Sequence, residues 1–101
     1  MIYNNTEVTL VQHSYENNGN LAVLMMSEDG SVYTIVSKNI DALDPPRFAV
    51  DENNNPGISK WLKRNGIAKD THYTFKSGFV TYPIYELLVE LPSLDDYRMN
   101  I

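Results

Sequence analysis

The chain has 101 residues, a formal net charge of -5 at neutral pH and no cysteine. This length fits one domain, and the lack of cysteine excludes disulfide bonds and thiolate chemistry. Hydrophobic residues make up 43% of the chain and charged residues 21%, as in folded globular proteins rather than disordered ones. The acidic balance argues against binding to duplex nucleic acid through a broad basic face.

Three strands are predicted in the first third of the chain. They span Glu7–Tyr15, Leu21–Met26 and Ser31–Ser37, where β-branched, aromatic and other apolar residues are frequent. An Asn-Gly pair lies in the first connection, and Asp29-Gly30 in the second favours a two-residue type I′ turn. Connections this short join neighbouring antiparallel strands, so we expect the three strands to form a meander.

The second of these strands is apolar on both faces. Because alternate side chains of a strand point to opposite faces, Leu21, Val23 and Met25 are expected on one side and Ala22, Leu24 and Met26 on the other. Each face then needs a cover, either the segment around Phe48 or another protein. An uncovered apolar face of this kind marks an interaction surface.

The middle of the chain is expected to be irregular, because Pro45-Pro46 blocks both helix and ladder pairing within residues 38–54. Residues 48–50 favour a short extended segment that crosses the sheet. Asn55 is predicted to be the N-cap of a helix whose first residue is Pro56.

An apolar face and a glycine stop define this helix. Ile58, Trp61 and Leu62 are spaced so that they lie on one side of it. Gly66 is predicted to end the helix in a left-handed conformation, with Ile67 closing the apolar contact.

Two further strands are predicted over residues 71–76 and 79–91, with Ser77-Gly78 as the bend between them. Pro83 indicates that the second strand lies at a sheet edge or starts a new segment there. A short helix over residues 84–91 is the alternative, and a strand is favoured because β-branched and aromatic residues precede it. Residues 92–101 are interpreted as a frayed tail.

These elements predict a single α+β domain over residues 1–101. Its sheet is an antiparallel β-meander of three N-terminal strands plus one or two C-terminal strands, with one short helix packed on it. The N-terminus lacks a basic region followed by an apolar run, and Leu21–Met26 is too short to span a bilayer. A cytoplasmic location is therefore expected, without a role for a membrane.

Residue patterns for catalysis, metals and cofactors are weak. His13 and His72 are far apart in sequence and have no ligand-spaced neighbours, whereas a metal site needs three or four converging ligands. The carboxylates around the proline-rich loop do not follow a calcium-loop pattern, and the glycines form neither a nucleophile elbow nor a phosphate loop. We therefore expect no enzyme activity and no cofactor.

Two surfaces remain as candidates for binding. The first is basic and lies on and just after the predicted helix, where half of the eight basic residues fall within ten positions: Lys60, Lys63, Arg64 and Lys69. A solvated helix face is the more common role of such a run. The second is aromatic, because tyrosine is enriched at protein interfaces; its candidate residues are Tyr33, Phe79, Tyr82 and Tyr85.

Several short strings resemble a known family: Leu21-Ala22-Val23, Glu28-Asp29-Gly30, Asn55-Pro56-Gly57 and, most specifically, the run from Ser77 to Pro83. The chain, from about Glu7 to Leu88, is similar to a family of proteins of unknown function and roughly this length. The resemblance implies that such proteins are encoded on plasmids, conjugative transposons and phages of Gram-positive and gut bacteria. No activity comes with it.

The leading hypothesis is a non-enzymatic accessory protein of a bacterial mobile element. It would bind an unknown protein through its sheet face or the Ser77–Pro83 region, and a homodimer is one form of that hypothesis. The first alternative is an acidic inhibitor of a host defence nuclease. The second is weak nucleic-acid binding through the basic helix. Stacking of bases on the tyrosines is disfavoured, because basic residues are not interleaved with them.

Overall fold

The computed structural model describes residues 1–100, which form eight strands and two short helices. The strands are β1 Ile2–Tyr3, β2 Thr6–Ser14, β3 Leu21–Ser27, β4 Val32–Ile35, β5 Ser37–Lys38, β6 Arg47–Val50, β7 Ala68–Ser77 and β8 Val80–Leu87. The helices are α1 Ile58–Arg64 and α2 Leu94–Met99. The α+β class is confirmed, but the prediction of one helix is wrong. Across residues 1–100 no helix has the length and apolar character needed to cross a membrane.

The strands divide between two antiparallel sheets rather than one meander. The first sheet has the order β1-β2-β3-β4 and the second β5-β6-β8-β7. The predicted third strand splits between them at Val36, whose N–H donates to the Val23 carbonyl at 2.9 Å and whose carbonyl accepts from the Asp51 N–H at 2.8 Å. The chain therefore passes from one sheet to the other at this residue, and the segment around Phe48 becomes a strand of the second sheet.

The β3–β4 connection is longer than predicted. Ser27 pairs with Ser31 through an N–H···O bond of 2.8 Å, which leaves a three-residue loop. Gly30 has a φ of 85°, but Asp29 does not have a positive φ. A type I′ turn needs positive φ at both central residues, so that prediction is wrong, although the glycine has the expected left-handed conformation.

Helix α1 begins later than predicted and ends as predicted. Its N-cap is Gly57, with no side-chain cap bond from that residue, so the roles assigned to Asn55 and Pro56 are wrong. At the other end Gly66 has a φ of 69°. Its N–H donates to the Lys63 carbonyl at 3.1 Å, and the Ile67 N–H to the Leu62 carbonyl at 2.9 Å. This bond pair is the Schellman arrangement.

The main core lies between the two sheets and α1. It contains the inward side chains of β3, which are Leu21, Val23 and Met25, together with Phe48 and Val50 of β6 and the apolar face of α1. The segment around Phe48 therefore covers one face of β3, which was one of the two covers predicted for this strand.

Helix α2 covers part of the other face of β3. Leu94 packs with Val11 and Met26, and the half-buried Leu24 and Tyr97 lie against them. Gln12 anchors the approach to the helix, since its side-chain amide donates to the Leu91 carbonyl at 2.8 Å and its N–H to the Pro92 carbonyl at 3.0 Å. Where a frayed tail was expected, residues 94–99 are a docked helix; Ile101 lies outside the described residues.

Strand β8 is internal to the second sheet, between β6 and β7. The prediction that Pro83 marks an edge is therefore wrong. Pro83 pairs with Thr74 of β7, and the ladder with β6 starts only at Ile84, so the missing N–H falls outside that ladder. The strand ends at Leu87 instead of Leu91, and the helical alternative is not observed.

Candidate interaction surface

Strands β7 and β8 form a hairpin that we call the arm, residues 68–87. Their pairing runs from Ala68 opposite Leu87 to Ser77 opposite Val80, so that Gly78 and Phe79 alone make the turn. Gly78 has a φ of 61°, while Phe79 is not among the residues with positive φ. Glycine at the first position and an ordinary φ at the second define a type II′ turn, whose twist suits a tight hairpin.

The tip of the arm carries a fully exposed aromatic ring. Phe79 has a relative exposure of 105% and Tyr73, further down β7, 70%. The turn requires its glycine, but its second position admits most residues, and polar ones are usual there. The fold therefore does not account for a phenylalanine at this place.

Two of the predicted surface tyrosines belong to the interior. Tyr82 is buried with Ala49 and Ile84, and Tyr85 is buried in the main core. Both are therefore removed from the predicted contact surface. Tyr33 is partly exposed on β4, and its ring meets that of Tyr3 edge to face at a centroid distance of 6.2 Å.

A β-bulge marks the base of the arm. The register shifts between Asp70 and Tyr73, and His72 has a φ of 66°, which is uncommon for a residue with a side chain. The Asp70 carboxylate accepts from the His72 N–H at 2.8 Å. Thr71 Oγ1 donates to the Ile84 carbonyl at 2.6 Å. These bonds hold the bulge, beyond which the arm extends with mostly exposed side chains.

A small cleft of about 230 Å³ opens beside the arm on the outer face of the second sheet. Its lining is largely apolar and contains one cation. It consists of Leu43, Arg47, Tyr73, Thr74, Phe75 and Ile84. The cleft thus lies between the loop before β6 and the outer half of β7.

The four predicted basic residues are all exposed, but acidic side chains lie next to some of them. Lys69 Nζ lies 3.4 Å from Glu86 Oε2, and Arg47 Nε lies 3.9 Å from the other oxygen of the same carboxylate. Lys60 is close enough to Glu52 to help lower the pKa of that carboxyl. Neighbouring carboxylates therefore offset part of the charge that a phosphate backbone would need.

Glu52 supplies the cap that Asn55 was expected to provide. Its carboxylate accepts from the Gly57 N–H and, at 2.9 Å, from the Ser59 N–H. Partial burial would raise its pKa, but the Ser59 hydroxyl, these two N–H groups and Lys60 lower it below the ordinary value. Within residues 1–100 the buried Ser59 Oγ has no partner of good hydrogen-bond geometry, although it lies close enough to affect this carboxyl.

Two other clefts have several polar side chains in their linings. One, of about 350 Å³, is lined by Gln12, His13, Ser14, Leu21, Pro45 and Ser93, so its histidine has no carboxylate beside it in the lining. The other, of about 330 Å³, includes Lys38 and Asp51 but no histidine. Over residues 1–100 there is no cluster of three or more His, Asp or Glu side chains placed to hold a metal ion.

A family model for a domain of unknown function, DUF4313, matches residues 9–101. No curated protein and no solved structure matches the chain. The match bears out the expected kinship with proteins of unknown function over most of the chain.

Proposed function

We propose that this chain, which belongs to the DUF4313 family, is a protein–protein interaction module that binds through the tip of its arm. The observation that carries the proposal is the fully exposed ring of Phe79 in a turn that does not require it. Buried aromatic anchors supply much of the binding energy at protein interfaces. Because the backbone of this turn is already held by the paired strands, binding has to order the Phe79 side chain but not the loop that carries it.

The two apolar faces of β3, which were predicted to mark an interface, are largely covered within the chain itself. One face packs against the second sheet and α1, and the other is met by α2. The exposed large apolar side chains lie elsewhere: on the arm, on the edge strand β4, at the N-terminus, at residues 88–89 and at Met99 of α2. The arm is the better candidate because Phe79 is the most exposed of these side chains, and because the edge of β4 is already occupied at Ile35, whose carbonyl accepts from the Asn55 amide at 3.1 Å.

The experiment is affinity capture from cells that naturally carry the gene, with the tagged chain and two variants. Phe79→Ser removes the anchor, and Met99→Ser removes another exposed apolar side chain, 82% exposed, from α2. A specific partner retained by the wild type and Met99→Ser but lost by Phe79→Ser supports the proposal. Equal retention by all three contradicts it.

The wider role proposed is that of a cytoplasmic, non-enzymatic accessory protein of a mobile element. The resemblance carried by the Ser77–Pro83 run supports the mobile-element role. The same run contains the tip of the arm, which is the proposed contact surface. The order of neighbouring genes tests it: conjugation, partition or phage genes on either side are expected. A conserved metabolic operon around the gene would contradict it.

A further inference from the structure

The arm carries an exposed knob, Phe79, at its tip, and an apolar cleft lies beside the outer half of β7. We propose that the partner of the arm is a second copy of this chain, with Phe79 of each copy seated in the cleft of the other. This inference rests on the proposed function of the arm and names the partner that the arm binds.

The cleft fits a single aromatic side chain in size and chemistry. Its volume of about 230 Å³ is below the roughly 300 Å³ at which pockets for drug-sized ligands begin. Ile84 and Phe75 give it apolar surface, and the half-buried Leu43 adds to it. The Arg47 side chain, 52% exposed, lies in the same lining and offers a guanidinium to the face of an entering ring.

Because the knob lies on the arm and the cleft lies beside the same arm, two copies can pair in a self-complementary way. Tyr73 and Phe75 lie four to six residues before Phe79, so cleft and tip are offset along the same strand pair. A twofold axis that sets two arms side by side and antiparallel brings each tip to the other copy's cleft. Such a contact is isologous and closes at two copies. Strand β7 is the edge strand of its sheet, so it is free to lie at that axis.

Charge distribution also favours the approach of two arms. Residues 71–85 contain no Asp or Glu, and Lys76 is the one Lys or Arg among them. The rest of the chain therefore holds all 13 acidic residues and a net charge of -6, given the total of -5. Two copies that meet at their arms keep these like charges apart, whereas most other approaches would bring acidic surfaces together.

The test is the solution mass of the full chain over a wide concentration range, by sedimentation velocity. The wild type and Met99→Ser are expected to form a dimer, and Phe79→Ser is expected to weaken it by about tenfold or more in Kd, as for an interface anchor. Leu43→Glu places a charge in the cleft and is expected to weaken it likewise. Circular dichroism melts check that each variant is folded.

A mixture of the two defective variants separates knob-in-cleft packing from other forms of association. Phe79→Ser keeps an intact cleft and Leu43→Glu keeps an intact knob, so together they form one proper contact. The mixture should therefore contain more dimer than either variant alone. If Leu43→Glu is unfolded, Tyr73→Ser, at the exposed rim of the cleft, replaces it.

The inference is overturned if the wild type is a monomer at its highest soluble concentration, or if its dimer is unaffected by Phe79→Ser. Open polymers instead of dimers would contradict the twofold arrangement. A monomer that still captures another protein through Phe79 removes only this inference. A monomer whose captured partners are indifferent to Phe79 removes the proposed function as well.

Discussion

Two side chains of one loop, Glu52 and Asn55, fix the start of α1 and the edge of β4. Asn55 is buried; its amide donates to the carbonyls of Ile35 and Asp51, and its oxygen accepts from Thr34 Oγ1 at 2.7 Å. Glu52 bonds to the first N–H groups of the helix. Sequence patterns missed both roles, because an N-cap is sought directly before a helix and Glu52 acts from five residues before Gly57.

Replacement of Glu52 by glutamine should make stability less dependent on pH. A carboxyl whose pKa is lowered by folding stabilises the protein fully above its ordinary pKa of 4.5, and this contribution is lost as the pH falls toward the lower folded value. Glu52→Gln should therefore cost about 1 kcal/mol near neutral pH, and the difference from the wild type should shrink in acid. Urea denaturation at both pH values measures it, with the exposed Glu90→Gln as control. An equal loss at both would contradict the charged cap.

Removal of the Asn55 amide should destabilise the fold through unpaired groups on β4. Asn55→Ala leaves the Ile35 carbonyl and the Thr34 hydroxyl without these partners, and we expect a loss of about 1–3 kcal/mol in the free energy of unfolding. Asn53→Ala, at an exposed position of the same loop, is the matched control. Urea denaturation of both variants measures the two losses in the free energy of unfolding. Equal, small losses would show that the Asn55 amide does not stabilise the edge of β4.

At the scale of elements, the sequence predicts turns and helix ends that contain glycine, but it does not predict which short segments pack on a sheet. Gly66 has the predicted left-handed conformation, which strongly favours glycine. The bend predicted at Ser77-Gly78 is displaced by one residue, because Ser77 still pairs with Val80 and the turn is Gly78-Phe79. Helix α2 was missed although Ser93 accepts from the Asp96 N–H at 3.1 Å, a capping pattern visible in the sequence. Six residues make too short a helix to persist alone, so its stability comes from Val11 and Met26, which are distant in sequence.

Helix α2 should therefore contribute to stability through Leu94. Leu94→Ala opens a gap against Val11 and Met26 and should cost about 2–4 kcal/mol. Met99→Ala, on the exposed side of the same helix, should change stability by about 0.5 kcal/mol or less. Thermal and urea unfolding of the two variants test this. A Leu94→Ala protein as stable as the control would mean that the helix does not pack on the sheet.

Residues Phe79 and Tyr82 should respond differently to the same substitution, although both were predicted to lie on one surface. The strand pattern showed two apolar faces, but which face is covered depends on residues 40–43, a loop distant in sequence. Tyr82→Ser should cost about 3 kcal/mol or more because it empties a buried site, whereas Phe79→Ser should leave stability within about 0.5 kcal/mol. Paired denaturant melts measure the contrast. Comparable losses would place Phe79 in a packed environment.

At the scale of the whole molecule, the strands were more predictable than their arrangement. Strands β2 and β3 follow from local composition and turns, since neighbours in sequence pair. The division into two sheets depends on Val36, which pairs with Val23 in one sheet and with Asp51 in the other, and no local pattern marks such a residue. The same long-range packing covers one face of β3 and part of the other, and it leaves Phe79 of the arm as the most exposed of the large apolar side chains in residues 1–100.

Site-specific photo-crosslinking in cells that carry the gene tests most directly whether the arm is the contact surface. A photoreactive phenylalanine analogue replaces Phe79 in one version of the chain and Met99 in another, so that both positions are exposed and differ in place. We predict a discrete protein adduct from position 79, of twice the chain mass where the partner is a second copy, and none from position 99. No adduct at position 79, or the same adducts from both positions, would contradict the claim that the arm is the contact surface.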